Sequence, residues 1–285
     1  MKEVWEAILL GVVQGITEFL PISSDGHLAV AQALMNGNAP SGPDAEPLEM
    51  IMVLHLGTLF SILLLYRKQI WELRNNLRLC ALIILATIPV AVIGLSFKDF
   101  FDRMFKIPMV AGIGFLVTAF FLWLSEWKKP GMTELNQISI RQALWIGLCQ
   151  TLAPFPGISR SGSTISGALI AGLERNTCTT FSFLLAIPAI GGACAVVLKN
   201  LFKQGTTDKN YLALGLGGLT AFVVGCLAIQ VLIRIVNGGK LYWFRNYCLV
   251  LGIAVIVWQF ISPTTLNQSA PAPPAAQKTI DSAAS

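Results

Sequence analysis

Charge is what this 285-residue sequence has least of. Lysine and arginine number 20 and aspartate and glutamate 15, so charged residues make up 12% of the chain. Soluble domains carry about a quarter. So few charges cannot coat the surface of one or two water-soluble domains of this length, which excludes that reading. Metal-ligand spacing is missing among the cysteines. Cys80, Cys149, Cys178, Cys194, Cys226 and Cys248 lie mostly in apolar stretches and read as small buried hydrophobes, neither disulfides nor zinc ligands. No basic run is interleaved with aromatics and the net charge is only +5, so a nucleic-acid partner is excluded. The first twenty residues also lack the features of a cleaved leader. Glu3, Glu6, Gln14 and Glu18 interrupt their apolar core and no small-residue cleavage site follows, so they are expected to stay in the mature protein.

Apolar residues fill the space that charge leaves, at 54% of the chain and a mean hydropathy of +0.67. They come in blocks. Met50–Tyr66, Leu79–Phe97, Pro108–Leu124, Phe181–Leu198, Tyr211–Ile233 and Asn246–Ile261 run 16 to 23 residues without Lys, Arg, Asp or Glu. About 20 helical residues cross a hydrocarbon core of about 30 Å, so the expectation is an all-α polytopic membrane protein with six transmembrane helices. Trp71, Trp123, Trp127, Trp243 and Trp258 fall near block ends, where an amphipathic ring favours the interface. Residues 1–262 read as one membrane domain. The Pro-, Ala- and Ser-rich segment 263–285 reads as disordered.

Two further apolar regions are broken in the middle. Val4–Leu20 is followed by a Pro-Ile-Ser-Ser-Asp-Gly break and then by His27–Met35. Ile140–Ala153 is followed by a Pro-Phe-Pro-Gly-Ile-Ser-Arg break and then by Ser161–Leu173. Arms this short suggest re-entrant hairpins, because non-helical backbone survives at membrane depth only where protein or water satisfies it. The two regions align without a gap at an offset of 136, which matches Ala7, Gly11, Gln14, Phe19, Ile22, Ser23 and Gly26 with identical residues. Three spans follow each, an odd number, so the second copy would enter from the opposite side. The expectation is an inverted-topology repeat, over about 4–127 and 140–262, whose broken helices meet near the midplane. Counting Lys and Arg in the loops favours both termini outside, by eleven inside to eight with Arg160 omitted.

The breaks hold the chemistry. Glu18 sits one helical turn after Gln14, and a carboxylate at membrane depth costs at least about 2.5 kcal/mol, which marks it as functional unless it only pairs with Arg160 for packing. Ser23, Ser24, Asp25 and His27 crowd five residues. An N-cap to a helix starting near His27 explains one of them, not four. In the second break Ser159, Arg160, Ser161 and Thr164 place hydroxyls and a planar guanidinium at a helix start, where free N–H groups and the dipole favour an anion. His55, alone among Leu and Val, reads as a hydrogen-bonded core residue and is left out of the expected site.

The runs Gln14-Gly-Ile-Thr-Glu18-Phe-Leu-Pro-Ile-Ser-Ser-Asp-Gly-His27 and Pro156-Gly-Ile-Ser-Arg-Ser-Gly-Ser-Thr164 resemble the two signature motifs of the bacterial undecaprenyl-diphosphatase, or bacitracin-resistance, family. The resemblance runs from about residue 5 to 262 and takes in Phe181–Pro188. It implies hydrolysis of undecaprenyl diphosphate to the monophosphate carrier of peptidoglycan synthesis, in the cytoplasmic membrane of a bacterium, at a site opening to the periplasm. It also implies a divalent cation, magnesium or calcium. The acidic motif starts with Glu or Gln in that family; Gln14 here leaves Glu18 as the main carboxylate, with Gln14 the lesser metal-ligand candidate. Asp25 stands where a small hydroxyl residue or glycine is expected. Within this reading Ser24 attacks phosphorus with His27 as base, or His27 itself attacks. Glu18 holds the metal or orients His27, Arg160 joins them as a catalytic group, and Ser23, Ser159, Ser161 and Thr164 bind phosphate oxygens. A transporter or flippase for polyprenyl phosphate lipids is the alternative, since broken helices at a midplane site serve transporters too. The sequence leaves the oligomeric state open.

Overall fold

The computed structural model describes residues 2–35, 48–128, 131–204 and 210–261. The segment 263–285, expected to be disordered, lies outside the described residues. Among them every regular element is helical: α1 (Lys2–Thr17), α2 (Ser24–Met35), α3 (Leu48–Leu65), α4 (Arg67–Leu73), α5 (Leu77–Ser96), α6 (Lys98–Phe105), α7 (Pro108–Glu126), a 3₁₀ turn (Leu135–Gln137), α8 (Ile140–Gln150), α9 (Arg160–Ile170), α10 (Arg175–Gln204), α11 (Tyr211–Asn237) and α12 (Tyr242–Ile261). All six apolar blocks of the sequence are helical. Among the described residues five helices are long and apolar enough to span a bilayer, or six if α3 and α4, bent by 78°, count as one span. The protein is therefore an all-α, multi-pass membrane protein. Its outer faces agree: Ile84, Ile88, Val92 and Leu95 form an exposed apolar stripe on α5, and Val250, Ile253 and Val257 one on α12, a contiguous exposure that suits lipid contact.

The longest departure is α10, which runs 30 residues where the charge-free block has 18. Beyond its first two residues its polar start is buried. Thr177, Thr179, Thr180 and Ser182 are buried among neighbours, so the helix begins six residues before the apolar block does.

Both broken regions are present, with shifted bounds. α1 stops at Thr17, so Glu18 lies on the turn and not in the helical arm. Pro21 accounts for this: it lacks an N–H and disfavours helical backbone at Leu20. α2 starts at Ser24, three residues earlier than expected, because Ser23 is its cap; the Ser23 hydroxyl accepts from Gly26 N at 3.2 Å. Ser159 caps α9 in the same way, accepting from Gly162 N at 3.0 Å. α9 ends at Ile170 rather than Leu173.

The repeat is legible in the elements. Ser24 and Arg160, the opening residues of α2 and α9, are 136 apart, and the starts of α5 and α11 (Leu77, Tyr211) and of α7 and α12 (Pro108, Tyr242) are each 134 apart. Packing follows it: α1 lies on α11 and α8 on α5, while α3 packs on α10 and α7 on α12. Small residues set the closest approach. A Cβ on Gly15 would meet the Ala221 carbonyl oxygen at 2.9 Å, and Gly217, Ala221 and Gly225 recur every fourth residue on the α11 face that receives α1, as close membrane helix pairs require.

Candidate active site

The two breaks touch. A Cβ on Gly26 would lie 2.6 Å from the Cα of Gly157, which itself has φ +86°, so glycine is required on both sides of this contact. Ser161 Oγ donates to the Leu20 carbonyl at 3.1 Å. Thr118 of α7 holds the second break in shape, donating to Gly157 O and accepting from Ser159 N, each at 2.9 Å. Ser23 is the only non-glycine with positive φ among the described residues, at +66°. A serine held in the left-handed region is strained by about 1 kcal/mol, and such strain collects at functional sites.

Between the breaks lies a cavity of about 190 Å³, walled by Glu18, Ser23, Ser24, Asp25, His55, Ser159 and Arg160 with apolar groups from α5 and α10. At about 30 Å³ per water it has room for roughly six, which suits a phosphate headgroup and not a lipid chain. A larger groove of about 590 Å³ over α3 and α11, with Val53, Leu56 and Phe60 in its walls, carries no charged or catalytic side chain.

Glu18 is the hub. Its Oε1 accepts from Arg160 Nη2 at 2.9 Å. Its Oε2 accepts from Ser24 Oγ and from Gln14 Nε2, each at 3.1 Å, and lies 3.9 Å from His55 Nε2. The Arg160–Glu18 pair is largely buried, with side-chain exposures of 13% and 8%. That arrangement satisfies one prong of the guanidinium. The other, Nη1, is buried without a hydrogen-bond partner. A buried charged donor without an acceptor is costly, and this one walls a cavity next to two helix N-termini, where an anion is favoured.

Of the residues singled out in the sequence, the structure gathers Glu18, Ser24, Arg160, Ser23, Ser159 and Asp25 around one cavity, with Gln14 behind Glu18. It does not bring His27 there. His27 points to α12, with Nε2 2.7 Å from the Tyr247 hydroxyl, Nδ1 2.6 Å from Ser23 O, and the ring edge-on to Phe115. Both nitrogens are engaged, so the expected pairing of His27 with Ser24 or Glu18 is absent from this geometry. The shifted start of α2 is the reason: His27 falls inside the helix, one turn on, facing away from the break. Ser161 and Thr164 also stand apart, their hydroxyls turned to Leu20 O and to Arg160 O and Ser182. His55, read from the sequence as a hydrogen-bonded core residue, is bonded to Ile51 O as expected but also walls this cavity. Its one available signal was a histidine inside a charge-free span.

The family described as Bacitracin resistance protein BacA matches residues 7–254. The undecaprenyl-diphosphatase of Desulforapulum autotrophicum is 39% identical over 283 residues, covering 91% of this chain and all of that protein. That of Carboxydothermus hydrogenoformans is 40% identical over 259 residues (90% and 97%), and undecaprenyl-diphosphatase 3 of Bacillus cereus 39% over 257 (90% and 97%).

Proposed function

The chain belongs to the bacitracin resistance protein BacA family, and from that premise we propose that it hydrolyses undecaprenyl diphosphate to undecaprenyl phosphate and inorganic phosphate. The observation that carries this reading is the carboxylate of Glu18 joined to Ser24 on one side and Arg160 on the other, with the second prong of Arg160 free. Transport of a lipid phosphate would need the cation but not a hydroxyl set against a carboxylate.

In this mechanism the free Nη1 of Arg160 and the N–H groups at the starts of α2 and α9 hold the oxygens of the terminal phosphate, neutralising charge that builds in the transition state. Ser24 Oγ already donates to Glu18 Oε2, so the proton has an acceptor as Oγ attacks phosphorus. The anhydride P–O bond breaks and undecaprenyl phosphate leaves with the electron pair. Water then attacks the phosphorylated serine, phosphate departs, and the proton returns from Glu18 to Ser24. Ser23 and Ser159 act as caps that hold both helix starts open to the anion.

A divalent cation belongs to the same reading. Gln14 Oε1 is buried with no hydrogen-bond partner, beside a carboxylate, and an oxygen so placed fits a hard cation. Glu18 and Gln14 would hold it, and it would neutralise phosphate charge. The two repeats with opposite orientation, a single membrane domain, and a site open to the periplasmic side of the cytoplasmic membrane complete the proposal. Impermeant thiol labelling of single cysteines at Lys68, Asp99 and Glu134 tests that topology; the first and third belong on one face and the second on the other. For the activity, detergent-purified chain should release phosphate from undecaprenyl diphosphate, and Ser24→Ala should not. No release by the wild-type chain, with lipid moved across vesicles instead, would replace this reading by the transporter.

A further inference from the structure

The side of the cavity that faces α5 and α10 is apolar and open. Val90 of α5 and Ala189, Ile190 and Ala193 of α10 make that side, and Ala193 is exposed although it lines the cavity. From Thr87 to Ser96 no residue of α5 is buried, whereas Leu79, Leu82, Ile83 and Ala86 earlier in the same helix are. Gly94 stands one turn after Val90, and Gly192 stands three residues after Ala189, so each shares a helix face with a cavity-lining residue. A Cβ on either glycine would meet nothing within 4 Å. Ile88, Val92 and Leu95 carry the lipid-facing stripe of α5 up to this opening.

The repeat supplies the contrast. At the offset of 136, α3 corresponds to residues 184–201 of α10, and α11 corresponds to α5. The seam between α3 and α11 is therefore the counterpart of the seam between α10 and α5. That counterpart is shut. A Cβ on Gly57 would lie 2.3 Å from the Gly218 carbonyl oxygen, the close approach that small residues give to membrane helices. The groove of about 590 Å³ over α3 and α11 thus has a closed floor. In the α5–α10 seam the small residues receive no partner, and what they leave is a passage. A cavity of about 190 Å³ takes the headgroup but not the chain, so a lipid rooted in the bilayer needs a lateral way out. Two helices that satisfy their own backbone offer one without showing a polar group to hydrocarbon. We infer that the hydrocarbon chain of the substrate leaves the cavity sideways between α5 and α10, and that Val90, Gly94, Ala189, Gly192 and Ala193 form the subsite for its first isoprene units. The inference rests on the diphosphatase reading for the identity of that chain.

The test is photo-cross-linking of the purified full chain in vesicles. The probe is a polyprenyl phosphate with a diazirine on its second isoprene unit. Labels should concentrate on Val90–Gly94 and Ala189–Ala193. Labels concentrated on the α3–α11 groove, or spread evenly over the lipid-facing helices, overturn the inference. Two variants read the same seam by turnover. Gly192→Phe fills it, and kcat/KM for undecaprenyl diphosphate should fall about tenfold or more, the scale of forcing a side chain into occupied space. Gly191→Phe is the control: its Cβ also meets nothing within 4 Å, but it lies about 100° further round α10, away from the seam. It should match wild type. Both variants have room for the ring, so both should keep the wild-type melting temperature. Equal kcat/KM in the two variants overturns the inference. Seam labelling on a chain that releases no phosphate would sink the diphosphatase reading and leave the subsite standing, and phosphate release with labels elsewhere would do the reverse.

Discussion

Ser24 and Arg160 open two short helices from opposite halves of the chain, and both donate to the carboxylate of Glu18, at 3.1 and 2.9 Å. They are the same position in the repeat, 136 residues apart. One copy supplies a hydroxyl and the other a guanidinium. A near-symmetric scaffold thus presents an asymmetric pair, one group suited to attack phosphorus and the other to hold its oxygens.

Glu18→Gln tests the hub. The amide keeps the shape but loses the charge that balances Arg160 and the acceptor for the Ser24 proton. Phosphate release per folded molecule should fall by about two orders of magnitude or more, the scale of removing a key electrostatic group. Activity near wild type would show that the carboxylate is only a packing partner for Arg160.

Gly26→Ala tests the contact between the breaks. The added methyl would meet Gly157 Cα at 2.6 Å and Phe115 Cζ at 2.7 Å, and backbone cannot yield as a flexible side chain can. Overpacking of this kind costs about 1–3 kcal/mol, so the melting temperature in detergent should drop. An unchanged melting temperature would mean that the breaks do not meet at this glycine.

Much of this was legible in the sequence. The six blocks became helices, and the broken regions and their 136-residue relation were visible, because membrane spans and prolines leave strong one-dimensional signals. A partner for Arg160 was expected from the expense of a lone charge in hydrocarbon, with Glu18 and Asp25 both open; the structure gives Glu18. What the sequence did not show was direction. Ser23 rather than a later residue caps α2, and that shift of three residues turns His27 from the break toward Tyr247. The place of His55 beside the cavity was hidden for the same reason: only the packing of α3 against the breaks decides whether a lone histidine faces core or cavity.

Tyr247→Phe follows from that correction. It removes one hydrogen bond from His27, worth about 0.5–1.5 kcal/mol of stability, and should leave turnover within about tenfold of wild type, the kinetic scale of such an energy. A loss of two orders or more at normal folding would return His27 to the chemistry.

The most direct measurement is phosphate release from undecaprenyl diphosphate by folded, detergent-purified Ser24→Ala, Arg160→Lys and the double variant, each compared with wild type. Lysine keeps the charge but not the two-pronged donor that serves Glu18 and phosphate at once. If both halves build one centre, each single variant should lose about two orders of magnitude or more, and the double should be little worse than the weaker single, since groups acting as a unit are strongly non-additive. Losses that multiply in the double variant, or an Arg160→Lys enzyme as active as wild type, would contradict a shared centre at Glu18.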